Sequence, residues 1–295
     1  MNKKIVIAGG TGFIGKYFER KFTELNYEVI IISRQNQQAN WNNPQSLTKA
    51  MEQASAVINL AGRSINCIHN EKNKQEILQS RIDTTRLLGE AIKNCVQPPS
   101  LWLNASSQAI YPPSKNATTE NSTHFAKDFL ATVTQQWEQT FFDYKNPKTR
   151  QIALRIAIVL GKDGGAFPPL YHLAKYGLGG TQGSGKQMMS WVHIEDLFQL
   201  CLFSIHQNSL TNCSINCCAP NAISNQIFMQ TLREKLKMPI GLPAAEWMIK
   251  IGAKFLQTEA DLLLGSCWIY PKTLLDNGFQ FSFPTIDTAI ENLVS

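Results

Sequence analysis

The chain has 295 residues, of which 43% are hydrophobic and 17% charged, and a net charge of +6. This suits an ordinary globular protein of one large or two modest domains and excludes a disordered chain. The charge is mild and scattered, with no basic block carrying interleaved aromatics and no apolar run near membrane-spanning length, so neither nucleic acid nor a membrane is expected as a partner.

Lys4 to Ala8 is a short apolar, β-branched run, the pattern of a strand buried on both faces of a parallel sheet. Glycines follow at positions 9, 10, 12 and 15, and Phe13, Tyr17, Phe18, Phe22 and Leu25 recur at helical spacing. Strand, glycine turn and helix in that order predict dinucleotide binding. A side chain would keep the backbone from a pyrophosphate, whose charge is met by the N–H groups and positive end of the helix. Gly9, Gly12, Phe13, Ile14 and Gly15 are therefore expected to contact the cofactor, with Gly12 a candidate for positive φ. The opening Met1-Asn2-Lys3-Lys4 superficially resembles a signal peptide, but the glycine fingerprint stands where a cleavage site would be.

Glu28 to Ser33 reads as the second strand. An NAD site is expected to end this strand with Asp or Glu on the ribose hydroxyls; here Ser33-Arg34 stands instead, and an arginine fork matches a 2′-phosphate. NADP is thus favoured over NAD. Pro44 to Gln53 reads as a short helix, Ala56 to Leu60 as a buried strand closed by Ala61-Gly62, and Glu71 to Cys95 as a long helix ended by Pro98-Pro99. Leu101 to Ala105 is the next strand, a helix spans about 127–144, and Ile152 to Leu160 forms a further strand. Alternating strands and helices predict an α/β Rossmann-type, doubly wound parallel sheet. Ligands bind beyond the carboxyl ends of such strands, which adds Leu60, Ala61 and Gly62 to the expected cofactor contacts.

Beyond Gly161 the segment to Gln187 is glycine-rich, with a short helix around 170–176. Ser190 to Val192 reads as a short strand, His193-Ile194-Glu195-Asp196 enters a helix, Ser214 to Cys218 is the last sheet strand, and helices dominate from Ser224 onward. The expected division is a Rossmann domain over 1–161 and 188–222, with a smaller cap lobe from 162–187 and 223–295. The odd count of seven cysteines has no disulfide-framework spacing, which suits a reducing cytoplasm. Cys217 and Cys218 are strand neighbours pointing to opposite faces, so they read as small buried residues rather than metal ligands. Trp191 and Trp268 read as core residues.

The G-G-T-G-F-I-G start, N-L-A-G at 59–62, the serine-rich strand end at 104–107 and L-R-x-x-x-V-L-G at 154–161 resemble the extended short-chain dehydrogenase/reductase superfamily. The stretches 76–88, 183–197 and 271–281 narrow the resemblance to its epimerase-like subfamily, often labelled nucleoside-diphosphate-sugar epimerase on similarity alone. The resemblance implies NADP(H), a small and perhaps sugar-nucleotide substrate, oxidoreductase or epimerase chemistry, and Arg155 of the L-R motif among the cofactor residues. It also exposes a departure. The superfamily's working enzymes carry a Tyr-x-x-x-Lys pair in the helix after the serine strand, tyrosine as acid/base and lysine lowering its pKa. Aligning Glu138 with the acidic residue that often follows the pair puts Leu130 and Thr134 in those places, and neither does that work.

The remaining catalytic candidates are Ser106, Ser107 and Tyr111, with Arg63 placed to meet an anionic substrate. His193 is either a proton carrier near neutrality or, as the resemblance implies for the His-x-x-Asp segment, structural support between lobes. Two functions stay open: an NADP(H)-dependent oxidoreductase or epimerase, and a non-catalytic NADP(H)-responsive binding or regulatory protein.

Overall fold

Every second residue of the first strand serves a different core, and the architecture follows from that. The computed structural model describes residues 3–34, 39–255 and 257–295. In β1 (Lys4–Ala8), Ile5 and Ile7 pack toward Phe18 and Phe22 of α1 (Phe13–Glu24), while Val6 and Ala8 pack on the opposite face. β2 (Glu28–Ile32), α2 (Pro44–Met51), β3 (Ala56–Asn59), α3 (Glu71–Lys93), β4 (Leu101–Ser107), α4 (Phe129–Asp143) and β5 (Arg150–Ile156) continue the alternation. On the second face Leu47 and Met51 of α2, Leu88 and Ile92 of α3, and Phe141 of α4 close over Val57 and Trp102.

The chain then leaves the sheet. Sequence reads Ile152–Leu160 as one strand, but the structure splits it at Ala157, whose N–H donates to Cys217 O, and β6 (Ile158–Gly161) pairs elsewhere. β7 (Gly164–Gly165) and β9 (Trp191–His193) flank β6 in a three-stranded sheet, and β8 (Met188–Met189) pairs with β11 (Ile223–Ser224). α5 (Phe167–Lys175), α7 (Asn225–Lys235) and α11 (Ile286–Val294) pack around Trp191, Phe228 and Ile290 in a separate apolar cluster. α6 (Ile194–His206) returns to the main sheet, covering its first face with Leu197 and Phe198, and β10 (Cys213–Cys217) completes it. α8 (Glu246–Phe255), α9 (Asp261–Leu264) and α10 (Lys272–Asp276) make up the remainder of the C-terminal region.

The main sheet has six strands in the order β10-β5-β4-β3-β1-β2, all parallel. From β1 the chain crosses to β2 on one side and then to β3 on the other, so strand order reverses there and a crevice opens at the carboxyl ends of β1 and β3. The C-terminal tail is tied to this frame by the buried Asp196, whose carboxylate accepts from Ser282 N at 2.7 Å and Phe283 N at 3.0 Å. Among the described residues no helix is long and apolar enough to cross a membrane.

Candidate functional site

The glycine turn occupies the crevice, and its glycines answer to different constraints. Gly9 is the one with positive φ, at +81°, and a Cβ on it would come within 2.8 Å of the Leu60–Ala61 backbone. Gly15 lets α1 sit on the turn, since a Cβ there would fall 2.5 Å from Gly10 Cα. Gly12 departs from expectation: its φ is −79°, and a Cβ would meet only Gly9 O, at 3.5 Å. Its glycine character therefore has no basis in internal packing or backbone strain. The side that a Cβ would fill is open, directly over the start of α1, whose first turn carries no acidic residue and no side-chain cap. An open side over an uncapped helix start fits an anionic group such as a pyrophosphate.

Phe13 and Ile14 lie at that start, and their side chains pack inward. The Phe13 ring fills the space above Gly161, Gly164 and Gly165, where a Cβ would approach it to 2.5, 2.5 and 3.2 Å. Part of the glycine-rich segment beyond residue 160 is thus a seat for Phe13. Ile14 packs against the first core, so what both residues present to a ligand is backbone.

Ser33 and Arg34 follow directly on β2. Ser33 N donates to Ala39 O at 3.2 Å, Asn40 Nδ2 donates to Arg34 O at 2.8 Å, and the Arg34 side chain is exposed at the strand's carboxyl end. Across the crevice, buried Asn59 sets the Leu60-Ala61-Gly62 turn. Its Oδ1 accepts from Ala61 N at 3.0 Å, and its Nδ2 donates to Asn104 Oδ1 at 2.7 Å and Thr85 Oγ1 at 3.2 Å.

Arg63 is held by α3, pairing with Glu76 and donating through Nη2 to Asn73 Oδ1 at 2.8 Å. Arg81 also stands in this wall, a residue that the sequence does not single out. It lies against Gly62, rides over the Trp137 ring at 5.1 Å, and gives Nη1 to the carbonyls of Ile77 and Arg63 at 2.9 and 3.0 Å. Burial pulls it down to about 10, still charged at neutral pH, and no carboxylate among the described residues forms an ion pair with it. Only the absence of a matching acid in three dimensions marks it, and no local sequence signal carries that.

At the end of β4 the structure brings together residues far apart in the chain. Glu138 of α4 accepts Nε and Nη2 of Arg155 at 2.8 Å each, as well as the Ser106 hydroxyl, in a buried cluster. Arg155 Nη1 donates to the Tyr111 hydroxyl at 2.5 Å, which in turn donates to Asn216 Oδ1 at 3.0 Å. Arg155, grouped with the cofactor residues by sequence, thus has all three nitrogens committed within the protein. Tyr111 is 4% exposed and burial pushes its phenol up to about 12. Ser106 and Tyr111 form the wall behind the strand end, held by Glu138 and Arg155. Removing one partner of so buried a pair leaves a charge uncompensated, so Glu138→Ala is expected to cost roughly 3–5 kcal/mol of stability, read in denaturant unfolding. A loss below about 1 kcal/mol would show the pair to be solvated.

Ser107 is different: it is partly exposed and its Oγ accepts from Ala109 N at 3.1 Å, which leaves its proton free to be donated. Next to it, Gln108 Oε1 is buried without a hydrogen-bond partner. On α4, Leu130 and Thr134 lie one turn apart, and the buried Thr134 hydroxyl donates to Leu130 O at 2.7 Å. His193 is buried, accepts Glu195 N on its Nδ1 at 3.1 Å as the cap of α6, and burial pulls it down to about 4. It is therefore neutral near pH 7 and serves here as the cap of α6. Trp191 is fully buried, whereas Trp268 is only partly so.

With this geometry in place, likeness to known proteins is specific. Residues 5–218 match the model of the NAD dependent epimerase/dehydratase family, and residues 244–293 match a domain of unknown function, DUF1731. Epimerase family protein SDR39U1 of Homo sapiens is 31% identical over 296 residues, covering 99% of this chain and 100% of that protein. Epimerase family protein YfhF of Bacillus subtilis is 31% identical over 301 residues, covering 99% and 98%. The crystal structure of human SDR39U1 (isoform 2) with NADPH superposes with a TM-score of 0.90 at 31% identity, over 98% of both chains. The chain belongs to the NAD dependent epimerase/dehydratase family.

Proposed function

We propose that this family member binds NADP(H) across the β1–β3 crevice and exchanges hydride, slowly, with a small carbonyl or hydroxyl substrate seated beside Ser107 and Gln108. The observation that carries the cofactor half is the open side of Gly12 over an uncapped helix start, in line with the NADPH bound by the human relative. In this reading the N–H groups at Phe13, Ile14 and Gly15 hold the pyrophosphate, Ser33 and Arg34 the 2′-phosphate, and Leu60, Ala61 and Gly62 line the path toward the substrate. Arg81, next to Gly62, supplies positive charge to that same wall. NADP(H), when bound, supplies the hydride chemistry. Ser107, partly exposed, donates its free proton to a substrate oxygen. A sugar nucleotide is one substrate of this chemistry, and a cytoplasmic location fits the free cysteines.

The NADP half is tested at Arg34. A charge-assisted contact to a 2′-phosphate contributes about 1.5–3 kcal/mol, so Arg34→Ala should weaken NADPH binding roughly tenfold to a hundredfold and leave NADH unchanged. Calorimetric titration showing equal affinity of the wild type for NADPH and NADH would overturn the assignment.

A second reading is favoured by one observation, the Thr134 hydroxyl turned back onto Leu130 O where an acid/base pair would stand. In it the chain binds NADP(H) without turnover and responds to the cofactor as a binding or regulatory protein.

A further inference from the structure

α8 is apolar on two sides. Ile249 and Ala253 face the protein at 9% and 5% exposure, while Trp247, Met248, Ile251 and Phe255 are 65%, 46%, 50% and 86% exposed. Ile240 and Leu242 on the approach to α8, and Leu263 beyond it, are 61%, 58% and 42% exposed. Scattered apolar side chains on a surface are ordinary, but this many in one segment are not. On α8 itself Trp247, Met248, Ile251 and Phe255 share one side at helical spacing, an exposed apolar face of the kind that a partner covers.

The charges on the helix select the occupant. Glu246, Lys250 and Lys254 run along one edge at intervals of four, with Lys250 Nζ 2.7 Å from Glu246 Oε1, so the helix is acidic at its start and basic at its end. Turned antiparallel against itself about a two-fold axis near Ile251, it sets Trp247 of one copy against Phe255 of the other. The acidic start of each helix then lies beside the basic end of its partner, and the two helix dipoles oppose. An anionic lipid surface lacks this match: residues 237–264 carry Lys237, Lys250 and Lys254 against Glu246, Glu259 and Asp261, with no net positive charge.

We propose that a second copy of this chain covers this face, α8 against α8 across a two-fold axis. The contact would bear on the site, because the chain following α8 holds the loop after Gly62. Glu259 Oε1 accepts from His69 N at 2.7 Å, and the Thr258 hydroxyl bonds Asn66 Oδ1.

Sedimentation velocity of the full chain over a concentration series tests it. The wild type is expected to dimerise, and Ile251→Asp to weaken dimerisation about thirtyfold or more with an unchanged far-ultraviolet circular dichroism spectrum. Glu246→Lys and Lys254→Glu serve as a second test that leaves the apolar face intact. Each alone places like charges across the axis and should weaken its homodimer, whereas mixing the two should restore dimers. A wild type that stays monomeric overturns the proposal, as does a dimer indifferent to all three substitutions. A monomer that floats with phosphatidylserine-containing vesicles would assign the face to lipid and likewise overturn it.

Discussion

Gly12→Val is expected to abolish NADP(H) binding while leaving the protein folded. Gly12 sits at φ −79° and ψ 173°, which a β-branched residue adopts readily, and a Cβ meets nothing nearer than Gly9 O at 3.5 Å. The branched side chain would instead fill the space over the first turn of α1, where the proposed pyrophosphate lies. Affinity should fall more than a hundredfold, since the charge-assisted bonds to that group are lost together rather than singly. Gly15→Val is the contrasting variant. Its Cβ would fall 2.5 Å from Gly9 O and from Gly10 Cα, so it should lose stability as well as binding. Isothermal titration beside thermal unfolding separates the two. A folded Gly12→Val protein that binds NADPH like the wild type would place the phosphates elsewhere.

The contrast between these glycines also shows how far the sequence is legible. The strand, glycine turn and helix are local features, set by β-branched runs, spacing and turn chemistry, and they emerge where periodicity puts them. Which glycine can bear no side chain is not local. For Gly9 it depends on the approach of the Leu60–Ala61 backbone, about fifty positions away. The break at Ala157 is hidden for a related reason: Ile152–Leu160 is uniformly apolar, and only the competing partners Cys217 and Ser190 redirect it. The site's wall is the least legible part. Ser106 and Tyr111, Glu138, Arg155 and Asn216 come from four separate segments, and their charges and hydroxyls find one another only after the sheet has formed. Glu138, useful in the sequence merely as an alignment marker, is the carboxylate that holds Arg155 in place.

The wild type is expected to show no robust NADPH oxidation across a panel of aldehydes, ketones and 4-keto sugar nucleotides. A positioned acid/base contributes about 10²–10⁴-fold in rate, and the helix that carries one in the wider superfamily offers Leu130 and Thr134 here. Leu130 has no proton to exchange, and the Thr134 hydroxyl is spent on Leu130 O at 2.7 Å. Tyr111 and Ser106 are no substitutes, since both hydroxyls are held in the buried Arg155–Glu138 cluster. Ser107 can polarise a substrate oxygen, but among the described residues its hydroxyl is hydrogen-bonded to no base that would restore its proton. Leu130→Tyr with Thr134→Lys should therefore raise NADPH oxidation, by up to about 10²–10⁴-fold if the new tyrosine reaches the substrate. The lysine enters a buried position, so the double variant should lose stability, and Leu130→Phe with Thr134→Met controls for bulk without proton chemistry. Vigorous turnover by the wild type, abolished by Tyr111→Phe or by Ser106→Ala with Ser107→Ala, would overturn the expectation and identify the proton donor as one of those hydroxyls.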